Sequence, residues 1–179
     1  MSEPVLSEHD RRVVAAQLGR PPRAIRSVAH RCPCGNPDVV QTSPRLPSGE
    51  PFPTLYYLTC PRAASAIGTL EASGQMRDMT DRLRTDAELA ARYQAAHERY
   101  LTERAAIQTV AEIEGVSAGG MPTRVKCLHV LVGQALAAGL GVNPLGDEAL
   151  AQLPPWWANG PCVEVDAVEV DALEPTAIA

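Results

Sequence analysis

The chain has 179 residues, 45% of them apolar but only 4% aromatic, and a formal net charge of −5. That length suits one domain with a real core, and the composition requires alanine, valine and leucine rather than rings to build it. No stretch approaches the ~20 apolar residues of a membrane-spanning helix. The charge is unevenly spread: +3 over residues 1–62, −1 over residues 63–130 and −7 over residues 131–179. The eight arginines of the basic front are dispersed, which reads as a solvated face and makes nucleic acid an unlikely partner. The opening Met-Ser-Glu-Pro lacks the regions of a signal peptide, which sets a cytoplasmic expectation. There a reducing poise disfavours structural disulfides, so the five cysteines point to metal or thiol chemistry.

Residues 7–18 read as a first helix, with Ser7 as N-cap, Asp10 at the third position and a weak apolar stripe through Val13, Val14 and Leu18. Gly19 and the Pro21-Pro22 pair stop it. A hairpin follows. Val39-Val40-Gln41-Thr42 and Thr54-Leu55-Tyr56-Tyr57-Leu58-Thr59 are β-prone, and the turn-rich stretch between them centres on Ser48-Gly49. A reversal there places Cys60 opposite roughly residue 37, beside Cys32 and Cys34.

From Pro61 the spacing becomes helical through Ala63, Ala66, Ile67 and Leu70, with Gly74 as its end. Met76, Met79 and Leu83 continue in a second segment. Thr85-Asp86-Ala87-Glu88 resembles a capping box opening a long helix. That helix carries Leu89, Tyr93, Ala96, Tyr100 and Ile107 on one face and Glu98, Arg99, Glu103 and Arg104 on a solvated one. After the glycine-rich loop at residues 115–122, Thr123 is a candidate N-cap for a helix reaching about residue 138. Residues 147–153 form a short last helix before Pro154-Pro155-Trp156-Trp157. The chain ends in the tandem Val163-Glu164-Val165-Asp166-Ala167 and Val168-Glu169-Val170-Asp171-Ala172, expected to be an acidic tail or an added edge strand. The resulting division is an N-terminal helix and proline-rich linker (1–28), a core domain (29–158) and an acidic tail (159–179).

The chemistry lies in the cysteines. Cys32, Cys34, Cys60 and Cys127 fall at loop ends that a small fold can bring together, with His129 as a further donor. Thiolates suit zinc and iron–sulfur clusters, and Cys32 and Cys60 each precede proline, as the closing cysteine of a ferredoxin motif does. Cys32-Pro33-Cys34 is shorter than the usual zinc-knuckle spacing. His129 joins the set only if its helix starts after Cys127, because i and i+2 point to different faces. The competing reading is that these thiols simply fill the core. A Cys127–His129 nucleophile and base is poorly supported by sequence adjacency alone.

Gly119-Gly120 leading to Arg124 and Lys126 reads as an anion cradle, or else as a connection that uses glycine for its backbone freedom. It is not a Walker loop, since Met121-Pro122 follows Gly120. Trp156 and Trp157 read as a core lid or, if exposed, as an anchor for a protein partner.

The runs Arg31-Cys32-Pro33-Cys34-Gly35-Asn36-Pro37, Phe52-Pro53-Thr54-Leu55-Tyr56-Tyr57-Leu58-Thr59-Cys60-Pro61, Lys126-Cys127-Leu128-His129 and Asn143-Pro144-Leu145-Gly146 resemble an uncharacterised bacterial family. It is the domain-of-unknown-function family five-hundred-and-one, well represented in actinobacteria, and the resemblance covers about residues 29–150. It implies no established activity. It favours Cys32, Cys60 and Cys127 as the shared thiols, and its gene neighbours suggest envelope or phosphate biology by association.

The expected fold is α+β, a β-hairpin packed on a mostly helical single domain with cysteines gathered at the junction. The leading functional expectation is a Cys-ligated zinc or iron–sulfur protein. A non-catalytic, partner-binding protein of growth or division, using the acidic tail or Trp156/Trp157, is the first alternative. An enzyme acting on a small anionic substrate at the Gly119-Gly120 loop is the second.

Overall fold

A computed structural model describes residues 6–165 of the chain. Helix α1 (Glu8–Leu18) begins as its sequence requires: the Ser7 hydroxyl accepts the Asp10 N–H at 3.0 Å, and Gly19 ends the helix at φ +66°. Three antiparallel strands follow in the order β1 (Ile25–Arg31), β2 (Pro37–Thr42) and β3 (Tyr56–Leu58). The expected hairpin is β2–β3, paired Val39 to Leu58 and Gln41 to Tyr56. The Thr59 N–H continues the ladder to the Asp38 carbonyl at 2.8 Å, so Cys60 does come to lie near residue 37.

Strand β1 was not expected. Its residues Ile25-Arg26-Ser27-Val28-Ala29-His30-Arg31 have neither a continuous apolar run nor clean alternation, and its pairing with β2 is irregular. Pairing to a central strand outweighs such weak local preference. The strand runs across the residue-28 boundary, and α1 is tied to it by a bidentate Asp10–Arg31 ion pair at 2.7 and 2.8 Å. The N-terminal segment is therefore packed onto the core.

The helical body comprises α2 (Pro61–Ala72), α3 (Gln75–Thr85), α4 (Ala87–Ile107), α5 (Leu128–Ala138) and α6 (Pro144–Ala151), with a short 3₁₀ turn at Ala111–Ile113. Leu89, Tyr93, Ala96 and Tyr100 bury one face of α4, as their spacing requires. Its cap is Asp86, one residue later than the Thr85 box, because the Asp86 carboxylate accepts the Leu89 N–H at 2.9 Å. Arg104 does not belong to the solvated face. It is 5% exposed and donates to the Pro53 and Ile113 carbonyls at 3.0 and 2.6 Å, two loop acceptors that nothing in the local pattern announces.

Helix α5 is the central element. Its residues Leu128, Leu131, Val132 and Ala135 are buried, and it packs on the sheet, α2 and α6. Two glycines allow these approaches. A Cβ on Gly133 would sit 3.1 Å from the Tyr56 carbonyl oxygen, and one on Gly146 would sit 2.3 Å from that of Leu131. Helix α6 starts at Pro144, earlier than the expected residue 147, because Asn143 caps it by accepting the Gly146 N–H at 2.9 Å. Buried Gln134 joins three helices, donating to the Ala96 carbonyl and accepting from the Asn143 amide, each at 2.9 Å. The second copy of the acidic repeat lies outside the described residues.

Candidate functional site

Helix α5 starts at Leu128, not near Thr123. Cys127 occupies the N-cap position with an extended backbone and no capping side-chain bond of its own. Starting there frees Cys127 from the helical periodicity and lets its side chain meet that of His129. The missing cap comes from α2: Glu71 Oε1 accepts the Leu128 N–H at 2.6 Å. A carboxylate at a helix N-terminus is stabilised by the free N–H groups and the helix dipole. The same oxygen lies 3.1 Å from His129 Nδ1, while His129 Nε2 lies 3.1 Å from the Ala64 carbonyl.

One donor atom each from Glu71, Cys127 and His129 thus lie within 4.8 Å of one another. Among the described residues this is the one group of three His, Cys, Asp or Glu side chains so placed. All three are partly buried. Both His129 nitrogens face hydrogen-bond acceptors, so the imidazolium form, which donates from both, satisfies the most hydrogen bonds. Contact with the Cys127 sulfur, followed by the Glu71 carboxylate, raises the His129 pKa to about 9, against the desolvation that lowers it.

Cys127 also borders two surface depressions. One is apolar, lined by Thr54, Tyr56, Tyr57, Leu58, His129 and Val130. The other contains Ser117, Gly119, Gly120, Arg124 and Lys126, so the glycine loop, the two cations and Cys127 share one pocket. Within the loop, the N–H groups of residues 124–126 already have partners. The Gly119 and Gly120 carbonyls accept the Lys126 and Arg124 N–H groups at 2.7 and 3.1 Å, and the Val125 N–H goes to Thr80 Oγ1 at 2.9 Å. The helix N-terminus itself is taken by Glu71. An anion here would be held by the Arg124 and Lys126 side chains.

The remaining cysteines do not join this group. Cys32 contacts Cys34 within the turn after β1, and Cys60 at the start of α2 contacts Cys162 of the C-terminal segment. The expected set of Cys32, Cys34, Cys60 and Cys127 with His129 is therefore divided: Cys127 and His129 meet with Glu71, while the other thiols pair elsewhere. Burial raises the Cys32 thiol to about 12 and the Cys60 thiol to about 11, which suits buried neutral groups. Cys162, which lay outside the candidate set drawn from the sequence, is Cys60's neighbour because the chain returns to the open end of the sheet. Trp156 and Trp157 are half-buried and pack edge to face at 4.7 Å between centroids.

Sequence reasoning missed Glu71. Its signal was faint: it is the one acidic residue of α2, in that helix's last turn, where the dipole favours a cation instead. An acid placed against that preference points to a partner outside its own helix.

Fold and site together define a helix-rich α+β protein with a Glu–Cys–His cluster where two helix ends meet. The chain belongs to the family described as "Protein of unknown function (DUF501)", whose model matches residues 28–151. That span contains all three residues of the cluster. No curated protein and no solved structure matches the chain. Among the described residues, no helix is long and apolar enough to cross a membrane.

Proposed function

We propose that this protein binds a zinc ion through Glu71, Cys127 and His129, leaving one coordination position facing the pocket of Arg124 and Lys126. The observation that carries this reading is the convergence of a carboxylate oxygen, a sulfur and an imidazole nitrogen within 4.8 Å. Their outer partners fit as well. A ligating histidine ordinarily donates its second N–H to a carbonyl or carboxylate, as His129 Nε2 can to Ala64, and the Leu128 N–H holds the Glu71 oxygen. One thiolate with one nitrogen and one oxygen suits zinc, whereas a cluster needs several thiolates. Three protein ligands and an open position form the arrangement in which zinc polarises a bound group or lowers the pKa of its water.

A second reading concerns what would meet that open position. Arg124 and Lys126 form no ion pair among the described residues and share the pocket with Cys127. They favour an anionic ligand, a phosphate or a carboxylate, as substrate or regulator.

The test is metal content of the purified protein, together with cobalt substitution. We expect about one equivalent of zinc and a thiolate-to-cobalt absorption band, with the band abolished in Cys127→Ser and binding weakened at least ~100-fold in His129→Ala. Retention of the band in Cys127→Ser, or no metal uptake by folded protein, refutes the assignment. For the anion, phosphate titration should shift the Gly119, Gly120 and Lys126 amide resonances, and Arg124→Gln with Lys126→Gln should remove the response.

A further inference from the structure

At the other end of α2 lies a thiol pair with a different chemistry. Cys60 is 1% exposed at the N-cap of α2, and half-buried Cys162 touches it from the C-terminal segment. Three side chains hold that segment in place. Arg62 donates to the Gly160 carbonyl at 2.8 Å, Asn36 to the Val163 carbonyl at 2.9 Å, and Gln17 directly to Cys162 Sγ at 3.3 Å. Gln17 is 9% exposed, and the same amide nitrogen donates to the Pro37 carbonyl at 2.7 Å. Its N–H is thus fixed toward the sulfur. The contact holds the Cys162 side chain in place beside Cys60.

We propose that Cys60 and Cys162 form a reversible disulfide, with hydrogen peroxide as oxidant, that locks the C-terminal segment onto the open end of the sheet. Cys162 reacts first, because it is the accessible partner. Its thiolate attacks one peroxide oxygen, the O–O bond breaks, and the departing hydroxide takes up a proton to leave as water. Cys162 is now a sulfenic acid. Cys60 sulfur then attacks Cys162 sulfur, the S–O bond breaks, and a second water departs with the Cys60 proton. Two thiols have lost two electrons, and one peroxide has become two waters. A small dithiol reverses the bond by exchange.

Position decides the roles. Cys60 is a poor first nucleophile, since burial raises its pKa, with only partial relief from the nearby Ala63 and Arg62 N–H groups. Held against Cys162, it still acts as the resolving thiol, because the reaction is intramolecular. The bond would close a loop running through α2 to α6, including the whole Glu71–Cys127–His129 site. The proposal does not depend on zinc at that site.

The full-length reduced protein is treated with stoichiometric peroxide, alkylated, digested without reductant and analysed by mass spectrometry. We expect a Cys60–Cys162 linked peptide, lost on dithiothreitol treatment and absent in Cys162→Ser. It should persist in the Cys32→Ser, Cys34→Ser double variant. Chymotryptic cleavage after Trp157 should release the C-terminal fragment from reduced protein but leave it attached in oxidised protein. Recovery of Cys60 and Cys162 both alkylated after the peroxide is consumed overturns the proposal. So does linkage of either residue to a different cysteine. Because Cys162 is only half-buried and lies outside every helix and strand, its serine variant should fold, and its normal circular dichroism spectrum would confirm that the lost link reflects chemistry.

Discussion

Replacing Glu71 separates the two tasks of a single carboxylate. Glu71→Gln keeps an oxygen able to accept the Leu128 N–H but removes the charge beside His129. Glu71→Ala removes both. The cap is worth about 1 kcal/mol. A His129 pKa raised from 6.5 to about 9 corresponds to roughly 3.4 kcal/mol at full value. The ring is 32% exposed, and the contact with Cys127 is the largest single cause of the rise, so solvent screening and the sharing with Cys127 leave about 1 kcal/mol for Glu71. Glu71→Gln should therefore cost about 1 kcal/mol and Glu71→Ala about 2 kcal/mol near pH 6, by urea unfolding in the presence of a chelator.

The pH dependence separates charge from cap. A histidine whose pKa is higher in the folded state stabilises the fold fully below its unfolded value of 6.5, and this is lost as pH rises through about 9. The Glu71→Gln deficit should shrink over that window, while the alanine variant keeps its cap deficit of about 1 kcal/mol. A Glu71→Gln deficit equal at pH 6 and pH 10 would refute the ion pair. An Glu71→Ala variant as stable as the wild type would refute the cap as well.

Gly146→Ala should destabilise the protein by about 2–3 kcal/mol in urea unfolding, because its Cβ would meet the Leu131 carbonyl oxygen at 2.3 Å and force α6 from α5; a neutral effect would show that these helices are not so close. Asp10→Asn should cost about 1 kcal/mol at pH 7, since the hydrogen bonds from Arg31 hold the Asp10 pKa below 3.8. That stability is complete above pH 3.8 and is lost as pH falls through the lower folded value, so wild type and variant should converge in acid. Unequal stability persisting at the acid limit would point to another role for Asp10.

The sequence by itself determined the elements whose evidence is local. Ser7 and Gly19 bound α1, the β2–β3 reversal fixed the position of Cys60, and the spacing of Leu89, Tyr93, Ala96 and Tyr100 gave the buried face of α4. Each depends on residues a few positions apart, so periodicity and capping chemistry suffice. The condition under which His129 could join Cys127 was also legible, as a helix beginning after Cys127. Whether it did begin there was not, because the cap that starts α5 is Glu71, brought from 57 residues away.

Tertiary structure alone decided which thiols meet. Cys127 and Cys60 both lie beside α2, yet Cys127 meets a carboxylate and an imidazole while Cys60 meets Cys162, which is 102 residues later in the chain. Strand β1 was likewise set by the neighbour it pairs with, and Arg104 was buried by two loop carbonyls rather than by any pattern on its own helix. A side chain's type records the chemistry it can perform. Its partner is fixed by packing between distant segments, whose contacts leave no period in the sequence.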